Sequence, residues 1–325
     1  MKTIARGALC FLCVFLLAWP ALAARLDVDA SLGAGYVAGK NQYEIGGSVI
    51  SSDGQNEYFD FPISRLEFPI DMGFFSLDGN LNITPKWGLS ASLQRNFTDP
   101  GSDMKDSDWI FGGFGGNDTK DIYSTSKMDC EAWIFDINTR YRFLEAVHGQ
   151  GTVTGPRPGN VYRLFAGLGY MYQSFAYDVY DLDQFYPQLP SIPHDVIPGP
   201  VLVYDLTFDI PYLMAGGEAV YGDSWFISLE GRATWFTHAT DDDSHLLRDK
   251  VSSVDSDWDG TTYAGRLEVR YNFTPQWYCA FKGSLMYIRV DARSSAYLPG
   301  YAPYTIDEEI ESDQAAMFLF GGYNF

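Results

Sequence analysis

Hydrophobic and polar residues alternate with period two through much of the chain. In "WFISLEGRATWF", Trp225, Ile227, Leu229, Ala233 and Trp235 share one face, and Ser228, Glu230, Arg232 and Thr234 share the other. Such alternation predicts a strand with unlike faces. "AWIFDINTRYRF" repeats the scheme, setting Trp133, Phe135, Ile137, Tyr141 and Phe143 against Asp136, Asn138, Arg140 and Arg142. "YAGRLEVRYNF" groups Arg266, Glu268 and Arg270. A soluble sandwich rarely buries Glu and Arg opposite a face closed by tryptophans. A lipid-facing strand has this layout, with an apolar centre, aromatic ends and a polar lumen. The inward charges carry both signs, which predicts a salt-bridged interior rather than an open pore.

The turns predict the topology. "NITPKW" (Asn82 to Trp87) and "NFTPQW" (Asn272 to Trp277) are near-copies, each joining two alternating segments and resuming at a Trp. "YGDS" from Tyr221 is a third short turn, and "HGQGTVTGPRPGN" from His148 is a longer fourth. Long polar stretches near residues 39–62, 98–126, 181–199, 238–258 and 291–310 read as loops at the opposite end. Five loops and four turns make ten strands. Lipid offers no hydrogen bonds to open sheet edges, so the sheet must close. The expectation is an all-β, ten-stranded antiparallel transmembrane barrel, one domain over residues 24–325. Its short turns would face the periplasm and its long loops the outside.

Composition agrees. Aromatic residues make up 16% and glycines number 32, with weak overall hydrophobicity. Residues 1–23 read as a secretory signal peptide: Lys2 and Arg6, an apolar run, then Ala21-Leu22-Ala23. Removing those two cations takes the net charge from −20 to −22. Such an anionic chain is a poor partner for nucleic acid or anionic lipid head groups. Cys10 and Cys13 leave with the signal, and the remaining Cys130 and Cys279 build no disulfide scaffold.

Two stretches hold candidate chemistry. "THATDDDSHLLRDK" sets His245, one of four histidines, just after Asp241, Asp242 and Asp243. "SDMKDSDW" carries Asp106 and Asp108. In extended chain Asp106 and Asp108 project from one face, and so do Asp243 and His245. A carboxylate can orient an imidazole and raise its basicity, and two close carboxyls share a proton. That set is able to activate water without Ser, Cys or metal. The bland alternative is a run of turn-forming, solvated aspartates. "DSDW" recurs at Asp255–Trp258, so the tetrapeptide alone is not diagnostic. "DSDWDG" opens like a calcium loop but has Arg266 at its twelfth position, where a Glu is required.

Taken together, "DASLGAGYVAGK", "SRLEFPID", "MKDSDW", "DDDSH", "YNFTPQW" and the terminal "FLFGGYNF" resemble the omptin family of outer-membrane proteases, in order along most of the chain. The resemblance implies an extracellular endopeptidase site. Asp106 and Asp108 match the family's Asp-x-Asp-Trp pair, and Asp243 and His245 match its Asp-x-His dyad. These residues would activate a water that attacks the peptide carbonyl. It also implies cleavage beside basic residues in peptide or protein substrates, with Asp241 lining the cation pocket. A second pocket acid is implied soon after the first-strand Gly-Lys. There "GKNQYEIGG" sets Tyr43 in register and Glu44 one residue on, making Glu44 the nearest carboxylate. No cofactor or metal is implied, and lipopolysaccharide is a candidate activator. The wall that would hold it reads Tyr170, Tyr172 and Ser174. The rival expectations are a non-enzymatic barrel with partner- or cation-binding acidic loops, and a lipid hydrolase built on Ser244 beside His245.

Overall fold

In the computed structural model, residues 27–109, 120–148, 159–222 and 224–325 are described. The signal peptide expected over residues 1–23 lies outside them. The strands are β1 (Asp27–Ser51), β2 (Asn56–Pro69), β3 (Met72–Asn82), β4 (Trp87–Asn96), β5 (Met104–Asp108), β6 (Ile122–His148) and β7 (Asn160–Phe185). β8 (Asp195–Tyr221), β9 (Trp225–His245), β10 (Lys250–Asp255), β11 (Gly260–Asn272), β12 (Trp277–Tyr297) and β13 (Tyr304–Asn324) complete them. All join one antiparallel sheet, and β13 closes it by pairing with both β12 and β1.

Among the described residues the sheet has thirteen strands rather than ten. The excess comes from three interruptions. β2 and β3 both pair with β1, β4 and β5 both pair with β6, and β10 and β11 both pair with β9 and β12. Pro69, which lacks an N–H, ends β2. Pro100-Gly101 and Asp257-Trp258-Asp259 fall in the other two gaps, where turn-forming residues break the ladder.

Strand also extends into each of the expected long loops. β1 and β2 pair out to Ile50 and Asn56, and β9 runs through Asp241 to His245 before a short turn to β10. Asp106 and Asp108 likewise lie on β5. Beyond the lipid the outer face need not be apolar, so the alternation fades from the sequence while backbone pairing continues.

At the turn end, three tryptophans each pack on a tyrosine directly opposite on the next strand. Ring centroids are 5.2 Å apart for Trp87–Tyr141, 4.8 Å for Trp225–Tyr271 and 4.9 Å for Trp277–Tyr323. Leu77, Leu168, Leu213, Leu229, Leu285 and Leu319 form the exposed apolar band above them. Tyr36, Phe97, Tyr170, Trp235 and Tyr263 mark the band's other edge. This is the outer wall of a transmembrane barrel. The lumen holds the expected ion pairs: Arg232 with Asp136 at 2.5 Å, Arg142 with Glu218 through two bonds of 2.8 and 3.1 Å, and Arg270 with Asp29 at 3.5 Å.

One irregularity decides what lies beyond the band. Below Trp235, odd-numbered residues of β9 face lipid and Arg232 and Thr234 face in. Trp235 and Phe236 are then both exposed, and Thr237 and Ala239 are fully buried. The ladder shows why. Asp209 pairs with His238 and Leu213 with Ala233, so four steps on β8 oppose five on β9. Gly260 pairs with Thr237 and Thr262 with Thr234, so two steps on β11 oppose three. β9 therefore carries one extra residue, a β-bulge, and the bulge swaps its faces.

Candidate active site

Because of that bulge, Asp241, Asp243 and His245 point inward beyond the upper aromatic edge. They are 5%, 3% and 9% exposed, whereas Asp242 between them is open to solvent. Tyr43 of β1 reaches them from across the barrel, its hydroxyl donating to Asp243 Oδ2. Tyr43 pairs with Leu66 of β2, and Leu66 pairs with Asp106 of β5. Asp108 pairs with Ser64, whose hydroxyl bonds its carboxyl. One row of the wall thus brings Asp106 and Asp108 to the side of the mouth from which Tyr43 meets Asp243.

His245 Nε2 lies 3.0 Å from Asp243 Oδ2. Its Nδ1 is 3.2 Å from Arg248 Nη2. A guanidinium only donates, so Nδ1 accepts and the ring proton sits on Nε2, toward Asp243.

The electrostatics sort the acids into two kinds. Burial opposes ionisation of Asp243, but the bond and charge of His245, with Lys250 and Tyr43, win and lower its pKa. Asp243 is therefore a carboxylate. Burial, with the charges of Lys250 and Arg248, also lowers the His245 pKa despite Asp243, which keeps the imidazole neutral. Asp106 goes the other way: burial first, then the Asp108 charge, push it up to about 8 against Arg248 and Lys250. Asp108 is raised too, chiefly by burial, while the Ser64 bond, Arg248 and His245 oppose. A buried pair of like charges holds on to a proton. The charges of Asp243 on Asp106, and of His245 on Asp108, show that the two expected stretches meet electrostatically.

Asp241 lies deeper. Tyr204 Oη donates to its Oδ2 at 3.2 Å, and the Val254 N–H donates to Oδ1 at 3.1 Å. Burial pushes it up to about 7. Glu308 of β13, also buried, hydrogen-bonds with it and is raised well above its usual range by burial and by Asp241. Stacked rings of Tyr204, Phe68 and Tyr177 floor the site, with Phe68 and Tyr204 4.5 Å apart. Glu44 is not brought to this group. It lies on the other face of β1 from Tyr43, ion-paired with Arg65 directly opposite on β2.

Sequence reasoning missed Arg248, Lys250, Tyr204 and Glu308. Arg248 and Lys250 stood in the stretch that carries His245, but only the hairpin shows that they fold back: Lys250 pairs with His245 itself. Tyr204 and Glu308 carried no local signal, since neither sits near another site residue in sequence. His238 belongs to a separate cluster, stacked on Trp258 and 2.9 Å from Asp255. Among the described residues, no group of three or more His, Cys, Asp and Glu is arranged to hold a metal ion.

No curated protein matches the chain in sequence. Among solved structures, the outer membrane protease OmpT from Escherichia coli is similar, with a TM-score of 0.69 at 16% identity over 92% of this chain and 97% of that one. The outer membrane protein OprG from Pseudomonas aeruginosa covers 91% of this chain and 95% of its own at 12% identity, but its TM-score of 0.35 carries no argument. The omptin family model matches residues 27–296. That span is most of the chain, and with it the protein belongs to the omptin family.

Proposed function

We propose that this protein is an endopeptidase of the bacterial outer membrane, with the site at the extracellular mouth of the barrel. Counting each interrupted pair, β2/β3, β4/β5 and β10/β11, as one stave gives the ten-staved wall on which this reading rests. The short turns would then lie in the periplasm and His245 outside.

The observation that carries the reading is the buried Asp243–His245 pair facing the Asp106–Asp108 carboxyls. Asp106 Oδ1 and Asp243 Oδ1 are buried without a hydrogen-bond partner in the protein. Such atoms are ordinarily satisfied by water. In this reading one water lies between Asp106 and His245. The neutral imidazole, oriented by Asp243, takes its proton, and the resulting hydroxide adds to the peptide carbonyl. The proton then passes to the departing amine. Asp106, tied to Asp108 by their shared proton, positions the water.

Basic side chains suit the site as substrate anchors. The mature charge of −22 steers cationic peptides, and Asp241 with Glu308 offers buried acid next to the dyad. The test is cleavage of dibasic and neutral peptides by folded wild type, Asp106→Asn and His245→Ala, with and without lipopolysaccharide. Cleavage by wild type alone supports the reading. If both variants cut normally the mechanism is wrong, and if wild type cuts nothing the non-enzymatic barrel takes its place.

A further inference from the structure

Water activation supplies only half of amide hydrolysis. The carbonyl oxygen gains negative charge as the nucleophile adds, and a donor at that oxygen is usually a large part of the rate. The dyad is basic, and the one proton of the carboxyl pair is shared between Asp106 and Asp108, which position the water. The β9–β10 hairpin offers a donor. Its turn returns the chain through an Arg248 N–H to His245 O bond of 3.3 Å, with Asp249 in the left-handed region at φ 49°. Arg248 is exposed, yet its guanidinium rests 3.2 Å from His245 Nδ1.

We propose that Arg248 is a further catalytic residue of the endopeptidase proposed above, the hydrogen-bond donor to the carbonyl oxygen of the scissile peptide. Its resting partner, Nδ1, is the ring nitrogen that faces away from Asp243 and would take the water's proton. A guanidinium parked there stands beside the locus of attack. The charge of Arg248 also acts on Asp106, Asp108 and His245. When a peptide enters, the guanidinium exchanges Nδ1 for the carbonyl oxygen, freeing Nδ1 as the base. Water oxygen bonds to the carbonyl carbon, its proton goes to Nδ1, and the C=O π pair moves onto oxygen against the Arg248 N–H groups. On collapse the C=O reforms, the C–N bond breaks, and the imidazolium proton leaves with the amine. Arg248 holds charge throughout and exchanges no proton. A planar fork with several donors suits an oxygen that moves as it becomes tetrahedral.

The proposal rests on the protease reading, so the experiment separates the two. Wild type, Arg248→Gln and His245→Ala are assayed on one cleavable peptide, with folding checked by circular dichroism. The expected result is a fall in kcat of about 10²–10³ for Arg248→Gln with KM nearly unchanged, as for loss of an oxyanion donor. If His245→Ala is inactive but Arg248→Gln keeps kcat within about tenfold of wild type, Arg248 is not that donor. A rise in kcat would make Arg248 a plug on the base, and a loss confined to KM would make it a binding group; either overturns the proposal. If His245→Ala is as active as wild type, the protease reading itself fails first.

Discussion

Tyr43 and Asp243, 200 positions apart in the chain, are joined by a buried hydrogen bond from phenol to carboxylate. That bond ties the first strand to the dyad on β9 and helps hold Asp243 ionised beside His245. Hydrogen bonds to charged groups contribute about 1.5–3 kcal/mol. Tyr43→Phe keeps the ring packing against Tyr204, 5.3 Å away, and deletes only the hydroxyl. Peptidase kcat is expected to fall roughly ten- to hundredfold with little change in KM. Steady-state kinetics check this, and an unchanged kcat would show the bond to be only structural.

Asp243→Asn and His245→Ala remove the orienting carboxylate and the base. Each is expected to lower kcat by about 10²–10⁴, the usual worth of general base catalysis. The double variant should lose little more than either single one, because the two groups act as a unit. Additive losses in a double-mutant cycle would refute that coupling.

The pH profile follows from His245. Its pKa is lowered, so the reactive neutral imidazole persists below the ordinary histidine range of about 6.5. Activity is expected to rise with pH through an inflection below that value. The groups that set it are Asp243, which raises the pKa, and Lys250 and Arg248, which lower it. Lys250→Gln removes one opposing charge, so the inflection should move to higher pH. A pH series of kcat/KM on wild type and variant gives the answer; a downward move contradicts the assignment.

Asp106 makes a stability prediction of opposite sign to Asp243. Its folded pKa, about 8, exceeds the unfolded value of about 3.9, so folding favours the protonated form. Between those values the folded state binds more protons, and stability falls as pH rises. Asp106→Asn cannot ionise and escapes that loss. The variant's urea midpoint should therefore gain on wild type as pH goes from 5 to 8. Asp243 has a lowered folded pKa, so its contribution is present above the unfolded pKa and is lost as pH falls through the folded one. Parallel urea titrations at the two pH values decide the matter.

The bulge on β9 can be tested by removing it. Deleting Phe236 restores the count against β8 and β11, which should turn Asp241, Asp243 and His245 outward. Peptidase activity is expected to vanish while the β-rich circular dichroism spectrum and membrane insertion persist. Retained activity in the inserted deletion variant would mean that the extra residue does not set the facing of the dyad.

The barrel was legible from local pattern alone. Period-two alternation in segments such as Trp225–Trp235 is imposed by lipid on one side and a polar lumen on the other, and it is a local property. The girdle tryptophans after "NITPK" and "NFTPQ" and the charged lumen residues were legible for the same reason. The Asp-x-Asp and Asp-x-His spacings were legible as well, because alternate residues of a strand share a face. What escaped was everything set by pairing rather than spacing. Above the lipid no solvent contrast marks the strands, so β5 and the upper parts of β1 and β9 read as loops where they are ladder. Whether the dyad points in or out depends on one extra residue near Phe236, visible only against β8 and β11. Tyr43 rather than Glu44 faces Asp243, because those two neighbours sit on opposite sides of β1. Arg248 and Glu308 come to the site through a hairpin and through barrel closure, and contacts between distant segments leave no local trace.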